Sequence, residues 1–459
     1  MSQACIRCRK QKRKCDKLVP VCSLCKRLNK SCSYPAPDAV SSHPVAVPDL
    51  HDLTPSNIRH TLEAQVSSII GDGAQLQETA ATYFRSVHVW LPIISETAYY
   101  SQLSKFRIQP APSDFSVLTL CMFLVCAMPV DGEVSDQTRS LYTLVKSFVA
   151  LLEAMGTNSL QLLQARLLLT VFEIGHTFYP AAYVSAGANV RAAVTLGASA
   201  ASLEDLRTVF PEPWKAEEAR RTWRGIVIAD RYASLESENE PSALRGRRID
   251  AASGSGNTKR VQNDLFEKLV HASGLLGQVL THIHENYQLI SLPPLNGIET
   301  GIEALHILRS LTSTLATFQG ESSTLDPLSS SSLAIYRRSA MLEVLEFGSH
   351  INLPANEYCT QTSINILASL VHEIGHEAKA TVATPTEPAT LPVFIIHCIY
   401  KAAIVYLRDA RLSGGVDPEP SIRPLTDLLR HIGMRWRAAS DYALRIEKAS
   451  RDAGFQNSR

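Results

Sequence analysis

The sequence predicts a small, metal-dependent module at the N-terminus followed by a large all-α domain, and three observations predict it. Six of the ten cysteines fall between Cys5 and Cys32, in a stretch with almost no core-forming residues. Five prolines (Pro35, Pro37, Pro44, Pro48, Pro55) then crowd a short spacer. From about residue 75 to 450 apolar residues recur at the helical period, as in Leu160, Leu163, Leu167, Thr170, Val171 and Ile174, and no sustained period-2 alternation appears. A chain of 459 residues, 45% of them hydrophobic, has material for two or three domains and at least one large core.

Residues 1–34 cannot bury enough apolar surface to fold unaided and need a metal. Residues 35–56 form an extended, semi-rigid linker, as proline at that density dictates. Thr54-Pro55 reads as a helix cap and first-turn proline. Over 57–72 a short amphipathic helix follows, with Ile58, Leu62, Val66, Ile69 and Ile70 in a stripe and Gly71 as its stop. Docking onto the next domain is the ordinary use of such a stripe; the other is a short dimerising coiled coil, which would make a homodimer. In the domain at 75–450, helices are expected over 134–155, 159–178, 181–197, 214–236, 262–290, 298–318, 333–350, 362–380, 390–412 and 422–448. Breaks are marked by Pro211-Glu212-Pro213, Ser253–Gly256, Ser329–Ser332, and Pro385, Pro388 and Pro392. The apolar run Val117–Val130 is too short to span a bilayer and reads as a buried helix. No apolar leader precedes Cys5, so a reducing compartment and free thiols are expected rather than disulfides.

The formal net charge of +1 argues against a polyanionic partner only when averaged over the chain. Residues 1–35 hold ten basic residues against one acid, Asp16, a net of +9, which leaves −8 for the remainder. An acidic body should be repelled by a duplex and leave the basic head to make contact.

The cysteine spacing, Cys5-x2-Cys8-x6-Cys15-x6-Cys22-x2-Cys25-x6-Cys32, is one unit used twice. C-x2-C lets two thiolates reach one tetrahedral zinc. Three thiolates per half leave each of two zincs one ligand short, so two cysteines must bridge. Symmetry proposes the first of each half, Cys5 and Cys22. Six thiolates and two Zn2+ ions sum to −2, and the folded module remains near +7. Between Cys8 and Cys15 lies Arg9-Lys10-Gln11-Lys12-Arg13-Lys14, five cations in six residues. A short helix there would offer cations to phosphates by counterion release and reach guanine O6 and N7 in a major groove. The plainer alternative is a solvated basic face on a zinc module that binds protein.

This block, including Pro20 in its central loop, resembles the fungal binuclear zinc cluster, the DNA-binding domain of a family of fungal transcription factors. The resemblance implies Cys5, Cys8, Cys15 and Cys22 on one zinc, and Cys22, Cys25, Cys32 and Cys5 on the other. It implies a basic helix whose end docks in the major groove on a CCG-type triplet, with Lys12 as the main base contact. Gln11 stands where the family has a lysine whose contact includes a main-chain carbonyl. Arg9, Lys10, Arg13 and Lys14 would hold phosphates. The helical region resembles the family's regulatory domain more loosely, in Trp90-Leu91-Pro92-Ile93-Ile94, in Gln164-Ala165-Arg166-Leu167-Leu168-Leu169, in Gly187, Arg191, Ala192 and Leu196-Gly197, and in Arg220-Arg221-Thr222-Trp223 with Asp230-Arg231-Tyr232. It departs at Ala198-Ser199, at Arg224, which replaces a second tryptophan, and at Gly246-Arg247-Arg248. Trp223 is expected as a core anchor, and Asp230 and Arg231 as members of helix-surface ion pairs.

One motif competes. His372-Glu373-Ile374-Gly375-His376 matches the zinc metallopeptidase pattern H-E-x-x-H. No third ligand follows: Val382 occupies the metzincin position, and Glu387 lies beyond Pro385. Leu367, Leu370, Val371, Ile374 and Ala378 form the apolar stripe, which turns both histidines toward solvent or a partner helix. Cys121 and Cys126 point apart on a helix, and Cys359 and Cys398 read as core thiols. The expected function is therefore a non-enzymatic, nuclear, sequence-specific regulator of RNA polymerase II transcription. Its partners are double-stranded DNA and co-regulators or the transcription machinery, with no membrane association.

Overall fold

In the computed structural model, the described residues are 4–18, 21–32, 54–105, 109–200, 202–237, 240–245, 265–290, 342–343, 345, 357–383, 387–413 and 419–452. They form two compact units, Met1–Thr54 and Pro55–Arg459. In the first, two short helices, α1 (Ile6–Lys10) and α2 (Ser23–Arg27), flank the cysteines.

The second unit is built from helices, and the only strand pairing among the described residues is an isolated Val130–Glu133 bridge. It opens with α3 (Pro55–Ile69), whose Ile58 and Leu62 are fully buried in the domain core against α7 (Ser113–Cys126). The stripe thus docks onto its own domain, with Val66 and Ile69 half-buried against the same core. Gly71, at φ +107°, makes the reversal into α4 (Gly73–Arg85), a conformation that costs a residue with a Cβ about 1–2 kcal/mol. Asp72 and Gln75 close a capping box there: the Asp72 carboxylate accepts from Ala74 and Gln75 N–H, and Gln75 Oε1 accepts from Asp72 N–H. α5 (Val87–Trp90) and α6 (Glu96–Lys105) lead into α7, which is apolar on nearly every side because α3, α4, α8 (Asp136–Ala154) and α9 (Leu160–Gly175) surround it. α9 is buried over almost its whole length for the same reason, with α10 (Ala181–Thr195) and α12 (Pro213–Glu236) on its other sides. α11 (Leu203–Val209) packs on α12. α13 (Leu265–Ile290) follows, then α14 (Glu357–Ala383), α15 (Ile396–Ser413), α16 (Glu419–Gly433) and α17 (Arg437–Asp452), which pack on one another. No helix among the described residues is long and apolar enough to cross a membrane.

Three expectations are corrected. The helix read over 390–412 begins only at Ile396; before it, Pro388–Thr390 and Val393–Ile395 are 3-10 turns, since Pro392 cannot donate to an α-helical ladder. The helix read over 422–448 is two helices, α16 and α17. The break is forced by burial: Arg435 and Trp436 both turn into the core. The Trp436 ring sits against Gly175, where a Cβ would lie 2.1 Å from it, and packs edge-on to Trp90. The Arg435 guanidinium lies 4.0 Å over the Trp436 ring and donates to the Ala127 carbonyl at 2.9 Å. Third, Asp230 and Arg231 are buried rather than on a helix surface. The Asp230 carboxylate accepts from Ser242 Oγ and from Ala243 N–H at 3.3 Å, pinning the turn after α12, and Arg231 donates to Ser273 on α13 at 3.3 Å. α12 is enclosed by α9, α10 and α13, so its polar residues must find partners inside. Trp223 is buried as expected.

All of 298–318, most of 333–350, the breaks at Ser253–Gly256 and Ser329–Ser332, Pro385, Gly246-Arg247-Arg248, Pro20, the linker prolines before Thr54 and the Cys359 side chain lie outside the described residues.

Candidate zinc and DNA-binding site

The two halves of the first unit repeat their backbone as well as their cysteines. Cys5 and Cys22 are seventeen residues apart. At the same offset, Lys12 and Asn29 both take a left-handed conformation, φ 52° and 48°. Just after each, Arg13 N–H donates to the Cys8 carbonyl at 2.9 Å and Lys30 N–H to the Cys25 carbonyl at 3.0 Å. Each short helix is thus closed by the same six-to-one bond, which turns the chain back so that Cys15 and Cys32 reach the sulfurs of their own half.

The sulfurs fall into two groups, Cys5, Cys8, Cys15, Cys22 and Cys5, Cys22, Cys25, Cys32, with all Sγ atoms of a group within 4.8 Å of one another. Cys5 and Cys22 belong to both. The Cys5–Cys22, Cys5–Cys25 and Cys8–Cys22 sulfurs are each 3.8 Å apart. A tetrahedron with zinc–sulfur bonds of about 2.3 Å has edges of about 3.8 Å, so the spacing fits two zinc ions sharing two thiolates. Main-chain N–H groups favour the shared thiolates: Cys8 N–H donates to Cys5 Sγ at 3.4 Å, and an N–H from Cys25 acts on Cys22, each lowering the thiol from its ordinary value. Burial and neighbouring sulfurs push Cys25 up to about 12. Crowded sulfurs of this kind need cations among them to hold more than one negative charge.

Asp16, the lone acid, has a role the sequence did not reveal. Both of its carboxylate oxygens accept from Ser23 N–H at 3.1 Å, which caps α2 in place of Cys22, whose side chain does not; the Ser23 side chain and then this N–H hold the carboxyl below the usual range. The signal was legible only as an acid surviving in a basic block.

The basic run is only partly helical, and this corrects the expectation of a helix across it. Arg9 and Lys10 end α1, Gln11 and Lys12 form a turn, and Arg13 and Lys14 are extended. Lys10 to Lys14 are all exposed, with no ion pair among the described residues; the Arg9 side chain lies outside them. The turn is imposed by the return to Cys15, and it sets Lys12 at the apex of the basic loop.

The peptidase motif does not assemble. His372, Glu373 and His376 are exposed on α14, while Leu367, Leu370, Val371, Ile374 and Ala378 are buried. Cys121 and Cys398 are buried core thiols. Arg224, which replaces the expected second tryptophan, pairs with Glu267 on α13, and Arg220 reaches the same carboxylate at 3.3 Å. An α12–α13 ion pair replaces the lost aromatic packing.

A six-thiolate, two-metal cluster carrying an exposed basic loop, joined to an all-α body, defines a zinc-cluster DNA-binding protein of the transcription-factor class. Comparison with known proteins narrows it. Residues 3–39 match the fungal Zn(2)-Cys(6) binuclear cluster domain, and residues 80–250 match the fungal specific transcription factor domain. The transcription factor BOA15 of Botryotinia fuckeliana (strain B05.10) is 38% identical over 138 residues, covering 30% of this chain and 73% of that protein. The chain belongs to the fungal Zn(2)-Cys(6) transcription factor family, and its cluster binds two zinc ions.

Proposed function

We propose that the chain is a sequence-specific regulator of RNA polymerase II transcription that acts in the nucleus and reads CCG-type triplets in duplex DNA. The observation that carries this reading is the exposed basic loop at the end of α1, held at a fixed angle by the cysteine cluster. Cys5, Cys8, Cys15 and Cys22 hold one zinc; Cys22, Cys25, Cys32 and Cys5 hold the other, with Cys5 and Cys22 bridging. Lys12, at the apex, donates to guanine O6 and N7. Arg9, Lys10, Arg13 and Lys14 hold phosphates and set the register, and the Gln11 carbonyl adds a main-chain acceptor. The helical body, net acidic, stays off the duplex and presents its surface to co-regulators. A dimer would need a surface other than the 58–70 stripe, which α7 covers.

The test uses zinc-loaded full chain against random duplex pools. Enrichment of CCG-containing sites is expected. Lys12→Asn removes the amine while tolerating the left-handed backbone, and it should cost about 1–3 kcal/mol on CCG sites and relax the triplet preference. Retention of no duplex by the wild-type chain would leave a zinc module for protein contacts and sink the DNA reading.

A further inference from the structure

In the helical body, a cleft of about 340 Å³ opens where the ends of α6, α7, α9, α10, α11 and α12 converge. That volume lies in the range of small-molecule sites. Its two walls differ in chemistry. One is apolar: Leu196, Val209, Phe210 and Trp214. Trp214 and Val209 are among the most exposed large apolar residues of this region, 42% and 46%, whereas Trp90, Trp223 and Trp436 are buried. A tryptophan face left open beside a cleft is surface that a planar partner would cover.

The other wall is polar and already ordered. Gln161 Nε2 donates to Gln102 Oε1 at 2.6 Å, which leaves Gln161 Oε1 and the Gln102 amide N–H without a partner among the described residues. Asp114 accepts from Ser159 Oγ at 2.6 Å and from Phe115 N–H at 3.0 Å, so its direction is fixed. The charged lining is Asp114 and Glu218 against Lys215, an acidic excess of one, and the Glu218 oxygens accept from Ser95 N–H and, at 3.4 Å, from Gln164 Nε2. Burial pushes Glu218 up to about 7. Two carboxyl groups in the lining disfavour an anionic ligand, Lys215 disfavours a cationic one, and the fixed acceptors want donors.

From these walls we infer that the cleft binds an uncharged, planar, hydroxyl-bearing aromatic molecule, its ring on Trp214 and Phe210 and its hydroxyl on the Gln161 and Asp114 acceptors. The site lies wholly in the helical body and does not depend on the DNA reading.

The test is ligand-observed NMR on the zinc-loaded full chain with three probes: 2-naphthol, 2-naphthoate and naphthalene. 2-Naphthol should bind, with naphthoate and naphthalene each at least about tenfold weaker, a discrimination that fixed polar groups routinely supply. Gln161→Met, which keeps size and removes the acceptor, should weaken 2-naphthol about tenfold and leave naphthalene unchanged. Val209→Trp, at an exposed position, should fill the cleft and abolish binding. Both variants should keep the wild-type melting temperature and DNA affinity, so a failure of the DNA reading is scored separately on the same samples. No binding of 2-naphthol, equal binding of naphthoate, or unchanged 2-naphthol binding by Gln161→Met would each overturn the assignment.

Discussion

Cys5 and Cys22 are as fully buried as Trp90 and Trp436, yet the burial has opposite meanings in the two units. In the first unit the buried atoms are sulfurs packed on sulfurs, with, among the described residues, Leu24 and the remaining cysteines against them. Such a core has no apolar driving force, and its cohesion comes from metal. In the second unit a single large cluster of buried aliphatic and aromatic side chains runs from Ile58 to Ile446, and apolar burial at about 25 cal/mol per Å² sustains it. The contrast teaches that one chain carries two separate stability mechanisms, and each can be removed without the other.

Zinc removal should make the largest difference. Structural zinc contributes on the order of 10–16 kcal/mol to small metal modules, so a strong chelator should unfold residues 4–32 and leave the helical circular dichroism of the body and its melting temperature in place. One cooperative loss of all structure would break the comparison. Trp436→Ala should do the reverse. Losing a fully buried tryptophan costs roughly 3–5 kcal/mol, read as a lower melting temperature of the body with zinc content unchanged at two ions per chain.

Alkaline pH should also single out the body. His397 is buried between Glu236, 3.3 Å from Nδ1, and Glu343, 3.2 Å from Nε2; Lys401 also reaches Glu343 at 3.3 Å, and Tyr442 donates to Glu236. Despite the opposing effect of burial, the two carboxylates raise His397 to about 9 and are themselves held below the usual range. A raised histidine contributes stability that is fully present below its unfolded value of about 6.5 and lost as pH climbs through about 9. The carboxylates contribute above about 4.5 and lose it in acid. The body should therefore be most stable between these limits and lose about 3 kcal/mol by pH 10, while His397→Gln should flatten the alkaline slope. An unchanged slope in that variant would remove the network from the account.

Smaller effects sharpen the description of the head. Arg13→Ala should weaken all duplexes alike and lower the salt slope by about one, because it removes a phosphate contact. Asp16→Ala should cause the smallest change, a few-fold easier loss of zinc, since it uncaps α2 without touching a ligand.

Legibility in the sequence also differs between the units. The metal geometry could be read from spacing because its partners are close in sequence and zinc demands a fixed number of thiolates; Cys5 and Cys22 as shared sulfurs followed from symmetry. The turn at Lys12 could not, because the basic run has helical composition and only closure onto Cys15 interrupts it. In the body, helix positions were legible wherever the apolar stripe kept the helical period between clear end signals, as in α8 and α9. They failed where a residue serves a distant partner: Arg435 and Trp436 break a continuous helical pattern to reach Ala127 and Gly175, and Asp230 and Arg231 leave the surface for Ser242 and Ser273.

The sequence by itself determined the zinc cluster, the basic run, the helical class of the body and most helix limits, since each rests on local spacing. Only the tertiary structure decided that the 58–70 stripe closes on α7, that the last long helix is two, that Arg224 replaces an aromatic by pairing with Glu267, and that Trp214 lines one cleft with Asp114 and Gln161. Those features arise from residues far apart in the chain, and burial, not local propensity, selects which of them meet.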